Sequence, residues 1–176
     1  MDYIRNTGTD ALKGADILRT APGKYSSSVE YAQNSISQNM KNIVQVMSAD
    51  LGTRVFYTAH GSFDTHGGEL MTHGKLWDDI SGAVADCYAD LEEHGLQDDT
   101  LMLIWTEFGR RIRDNGSGTD HGAGGLAMLV GGQVNGGLYG EFPSLDEAQQ
   151  LDGDLRANND FRSTYTTILE RWLGLD

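Results

Sequence analysis

Residues 100–105 read TLMLIW, an unbroken apolar run set between GLQDD (95–99) and TEFGR (106–110). A short apolar run with polar residues at both ends suits a strand buried on both faces, as in a parallel sheet. LAMLV (126–130) has the same character, and RVFYTA (54–59) adds β-branched and aromatic residues that favour extended backbone. Helical patterns separate these segments. Val29, Ala32, Ile36, Met40, Ile43 and Met47 recur at steps of three and four, which predicts a helix over about 28–49. Leu76, Ile80, Ala83, Cys87 and Leu91 predict another over about 71–94, with Gly95 as its stop. Asn159 can cap a last helix, 160–173, carrying Phe161, Tyr165, Ile168 and Trp172 on one face.

The remaining segments carry less pattern. Residues 3–20 form a weaker helical stretch interrupted by Gly8 and Gly14, and APGKYSSS (21–28) is a break whose serines suit capping of the next helix. Residues 109–125 read as a glycine-rich loop, 131–142 as turn-rich and 143–158 as a polar loop. Helices alternating with buried strands imply one α/β domain over residues 1–176, a mostly parallel sheet flanked by helices. Trp105, Phe161 and Trp172 are expected in the core.

Charge narrows the classes of partner. The chain has 26 acidic and 13 basic residues, a net charge of −13. Nucleic acid and anionic membrane surfaces both demand basic patches, so neither is an expected partner. No apolar run is long enough to span a bilayer. The single cysteine, Cys87, excludes an internal disulfide and a cysteine-rich zinc site, and its place in a helical stripe reads as buried packing.

In an open α/β sheet, ligands gather beyond the carboxyl ends of the strands. GSFDTHGGE (61–69) follows the first strand segment with Asp64 and His66, TEFGR follows the second with Glu107 and Arg110, and GTDHG (118–122) precedes the third with Asp120 and His121. Imidazole with carboxylate is a ligand set for zinc, manganese or iron, whereas purely oxygen ligands would suit calcium or magnesium. Each residue also has a plainer reading. Asp64 reads as an Asx-turn residue, His66 as a donor to a backbone carbonyl and Glu107–Arg110 as an ion pair. Asp120 reads as a carboxylate that orients His121 from behind. His60 and His73 are expected at the surface or behind the site, and His94 as a helix-end residue complementing the dipole. A nucleophile elbow and a phosphate loop are both lacking.

GSFDTHGGE, DLEEHGLQDDTLMLIWTEFGR (90–110), NGSGTDHGAGGLAMLVGG (115–132) and NDFRSTYTTILERWLG (159–174) together resemble the bacterial family labelled domain of unknown function 1501. That family is placed with the alkaline phosphatase and sulfatase-like superfamily. The resemblance runs from about residue 25 to the end and implies a partial alkaline phosphatase-like fold. It implies a metal-dependent hydrolase of phosphate or sulfate esters, with a divalent metal (zinc, manganese or calcium) and a small anionic ester as substrate. By motif order Asp64, His66 and His121 would share one metal, and Glu107 would serve a second or none. Asp120 is retained as a candidate ligand, and Arg110 would contact the anionic substrate. Phe108 stands where the superfamily has a histidine, and DTH spaces its pair more tightly than the superfamily does. Nothing here matches the superfamily's N-terminal nucleophile. The resemblance therefore implies the C-terminal portion of a longer protein, inactive as this piece, whose parent is exported to the periplasm or beyond. The alternative is a non-catalytic binding or scaffold domain that kept the fold, and self-association through an exposed sheet edge is a further expectation.

Overall fold

The computed structural model of the chain describes residues 25–175 throughout, with residues 9, 12–16, 19, 20 and 23 ahead of them. Of the helix expected over 3–20, residues 12–16 and 19–20 are helical, and the rest lies outside the described residues apart from the helical Thr9. The chain divides into two compact units. The first takes residues up to 64, 70–101 and 130–133, and the second takes 65–69, 102–129 and 134–176.

Two helices dominate the first unit. Helix α1, Ser35–Ser48, begins later than its apolar stripe suggested, because Asn34 and not a serine of 25–28 is its cap. The Asn34 side chain accepts from Ser37 N (2.8 Å) and donates to Asp79 Oδ1 (3.0 Å). Helix α2, Glu69–Glu93, ends as predicted at Gly95, whose φ of 68° lies in the left-handed region that glycine adopts without penalty. The core takes Ala83, Cys87 and Leu91 from the stripe expected of α2, but of the α1 stripe only Ile36 is buried, Met40, Ile43 and Met47 being half-buried; Val44, outside that stripe, and Tyr31 complete the core. Burial pushes the Cys87 thiol up to about 12, so it stays protonated and unreactive.

Asp90 is fully buried on α2, and a buried carboxylate requires partners. Tyr25 and Tyr31 both donate their hydroxyls to its Oδ2, and His94 Nδ1 lies 3.1 Å from Oδ1. Glu93 accepts from Ser28 N and from the Ser28 hydroxyl (2.7 Å). Residues 25–31 are thereby strapped to the end of α2, where His94 stacks on Tyr25.

The mostly parallel sheet is not found. Strands β1 (Met102–Ile104) and β4 (Met128–Val130) sit within the two predicted apolar runs but span three residues each and make a two-stranded sheet. Residues 54–59 form no strand, and Val55 and Tyr57 are exposed. Propensity favours an extended segment, but a ladder also needs a neighbouring strand to pair with. The other sheet lies where a glycine-rich loop was expected. Strands β2 (Gly109–Asp114) and β3 (Thr119–Gly122) form an antiparallel hairpin in which Arg110 faces His121 and Asp114 faces Thr119, with a register irregularity between. The fold is mixed helix and strand with small sheets, not a partial doubly wound one.

The second unit ends in helix α3, Phe161–Thr167, which continues as a π-helical turn over Ile168–Trp172. Its cap is Asp160, not Asn159, accepting from Arg162 N (3.0 Å). Phe161 and Trp105 are exposed and Trp172 is half-buried, so the core expected around these three rings does not form. Among the described residues no helix is long and apolar enough to cross a membrane.

Candidate metal centre

The β2–β3 hairpin turns through Asp114-Asn115-Gly116, a run whose side chains bond their own backbone. Asp114 Oδ1 accepts from Gly116 N (2.6 Å), and Asn115 Oδ1 accepts from Ser117 N (3.1 Å) and Gly118 N (2.9 Å). This shaped tip then grips the loop that follows Asp64. Asn115 Nδ2 donates to His66 O (3.2 Å), Gly68 N donates to Ser117 Oγ (2.9 Å), and Glu69 N donates to Ser117 O (3.1 Å). The Thr119 hydroxyl donates to Glu69 Oε2 (2.9 Å). Contact is closest at Gly118, which is buried: a Cβ there would overlap Thr65 O and crowd the His66 carbonyl carbon. Only glycine allows two backbones to approach so nearly.

Two ligand-bearing segments are held side by side as a result. His66 and His121 have ring centroids 4.8 Å apart. One ligand atom from each of Asp64, His66 and His121 lies within 4.8 Å of the others, and all three residues are exposed. Asp64 is covalently two residues from His66, so its reach depends on the loop's own backbone. The donor set fits a borderline divalent cation such as zinc or manganese better than calcium, which prefers oxygen throughout. Two atoms bound to zinc at about 2.1 Å are at most about 4.2 Å apart, so the cluster must tighten by a fraction of an ångström or more to close on an ion.

Of the other residues expected here, Glu107 is exposed in the turn after β1 and does not belong to the cluster. Asp120 does not belong to it either; its Oδ1 accepts from Asn115 Nδ2 (3.1 Å), the amide that also holds His66 O. Its bond is to the hairpin tip at Asn115, which differs from the expected role of orienting His121. Arg110 Nη1 and Nη2 donate to Thr119 O and Thr65 Oγ1. Phe108 lies flat on His121, centroids 3.9 Å apart and planes 11° from parallel. His60 and His73 belong to a separate aromatic group with Phe63 and Trp77.

Glu69, Asn115, Ser117 and Gly118 were not singled out from the sequence. Their signal was the Asn-Gly at 115–116, a strong hairpin marker when alternating apolar residues flank it. GRRIRD and TDHG are too polar to supply that alternation.

No curated protein and no solved structure matches this chain. The family described as "Protein of unknown function (DUF1501)" matches it over residues 5–169, nearly its whole length. This chain, with its paired histidines and adjoining aspartate, belongs to the DUF1501 family.

Proposed function

We propose that Asp64, His66 and His121 hold a divalent cation, zinc or manganese before calcium, in a metal-dependent hydrolase of phosphate or sulfate esters. The approach of the three ligand atoms to within 4.8 Å carries this reading. Three further features support it. The cluster is exposed, which leaves coordination positions for a small anionic ester. The two ligand segments are fixed by several backbone hydrogen bonds before any ion arrives. The motif order resembles that of the alkaline phosphatase and sulfatase-like superfamily. A bound cation would act as a Lewis acid, polarising the ester oxygen and stabilising the charge that develops on it. The chain's own residues orient the imidazoles: Asn115 through His66 O, and Phe108 through the face of His121.

Calorimetric titration with zinc, followed by inorganic phosphate or sulfate, tests the proposal without requiring turnover. Zinc should bind the wild-type chain, His121→Ala should abolish that binding, and the oxyanions should bind only the zinc-loaded form. Zinc binding unchanged in His121→Ala would remove the proposed centre. Phe108 favours a second reading, since its ring covers one face of His121 in the place where the superfamily has a histidine. Under that reading the domain is a binding or scaffold module with a structural cation. Zinc binding with no oxyanion recognition would establish it.

A further inference from the structure

Arg110 reaches both segments that carry the candidate ligands. Its Nη1 donates to Thr119 O (2.5 Å), two residues before His121, and its Nη2 donates to Thr65 Oγ1 (3.1 Å), the residue between Asp64 and His66. Thr65 is buried at 7% exposure, so this hydroxyl is a fixed anchor. In the hairpin ladder Arg110 stands opposite His121 itself. Its guanidinium carbon is 5.3 Å from the centroid of Phe108, the ring that stacks on His121. One side chain thus touches the His66 segment, the His121 segment and the aromatic face on which His121 rests.

We infer that Arg110 is a positioning residue of the metal centre, a cross-brace that sets the separation of His66 and His121 before a cation binds. The inference rests on reading Asp64, His66 and His121 as metal ligands. Arginine suits the task because its planar fork presents several donors at fixed angles and can satisfy two acceptors on different segments at once. Lysine keeps the charge but offers a point donor on a flexible stem, so it cannot hold both oxygens in the same geometry. Residues behind a metal's ligands typically contribute about 10–100-fold to metal affinity.

The test is a double-mutant cycle read by Co2+ and Zn2+ titration of the full 176-residue chain. Arg110→Lys should bind both ions about tenfold or more weakly while its far-UV spectrum and urea midpoint stay near wild type. Thr65→Val removes the acceptor hydroxyl at nearly constant shape and should weaken binding by a smaller factor. Because the two changes break the same bond, the double variant should be less impaired than the product of the single effects. The visible Co2+ band should also change in Arg110→Lys, reporting altered ligand geometry that a loss of general stability would not produce. A folded Arg110→Lys that binds as tightly as wild type, or effects that simply multiply, would overturn the inference. Should Arg110→Lys fail to fold, Thr65→Val decides: wild-type affinity there also overturns it. A wild-type chain that binds neither ion defeats the metal reading itself, an outcome distinct from all of these.

Discussion

Two carboxylate–imidazole pairs in this chain meet opposite fates. Asp90 and His94 stand four apart at the end of α2, where the carboxylate is fully buried and accepts two tyrosine hydroxyls. Asp64 and His66 stand two apart in a loop, exposed beside a second imidazole. The residue types are the same, but the surroundings differ. Two hydroxyl donors on one buried carboxylate oxygen make the first pair a rivet between the 25–31 segment and the helix. The second pair is held at the backbone, where Asn115 Nδ2 donates to His66 O. A pair becomes a candidate ligand set when its backbone is restrained and its side-chain atoms face solvent.

The largest expected effect separates stability from binding. Leu91 is 1% exposed, and a Leu→Ala change at such a site costs about 2–5 kcal/mol. Leu91→Ala should lower the urea midpoint of the helical signal markedly. His121→Ala, at an exposed position, should shift it by only about 0.5 kcal/mol while abolishing metal binding. Equal losses of stability in the two variants would erase the distinction between the regions.

Asp90→Ala should come next. It leaves the buried Tyr31 hydroxyl without its acceptor, a loss of about 1–3 kcal/mol by urea unfolding. Burial, then the bond to Asp90, raises both tyrosine phenols above their ordinary range. A group whose folded pKa is raised contributes stability that is fully present below the unfolded value, about 10 for tyrosine. That contribution is lost as pH climbs toward the folded value. The wild-type chain should therefore lose stability progressively above about pH 10, and Asp90→Ala should flatten that slope. An unchanged alkaline slope would mean that the tyrosine–aspartate contacts do not carry the strap.

Gly118→Ala probes the other region. The added methyl must push the hairpin tip away from Thr65 and His66. Metal affinity should fall about 10–100-fold, with global stability reduced far less than in Leu91→Ala. Wild-type zinc affinity in this variant would show that the close backbone approach does not set the histidine spacing.

How much of this was legible in the sequence follows the same division. The apolar periodicities located α1 and α2 and the buried face of α2, because a helix makes its own hydrogen bonds and reveals its core face every three to four residues. Polar residues beside the apolar runs picked out Asp64, His66 and His121 together with Glu107, Arg110 and Asp120, and only the family resemblance grouped the first three. The sheets were misjudged for the opposite reason. A strand's pairing depends on a partner far along the chain, so RVFYTA looks like a strand but forms none. The hairpin was hidden because its flanks are polar, although Asn115-Gly116 marked the turn. Positioning roles such as those of Thr65, Ser117 and Gly118 depend on cross-segment distances, which no local pattern encodes.

The smallest effect lies at the exposed edge of the buried network. Glu93 is held below the usual carboxylate range by the Ser28 hydroxyl, and next by the Ser28 backbone N–H. A depressed carboxyl contributes stability that is present above its unfolded pKa, about 4.3, and lost as pH falls through the folded value. Ser28→Ala removes the hydroxyl donor but keeps the backbone one, so it should trim this contribution without eliminating it. Unfolding curves from pH 7 downward should show the variant slightly less stable than wild type near neutrality. The two should converge once the carboxyl is protonated in both states. A difference that persisted in acid would assign the Ser28 contribution to packing instead of to the Glu93 charge. The strap would then depend on Asp90 and its tyrosines alone, and the contrast with the solvent-facing Asp64 pair would be sharper.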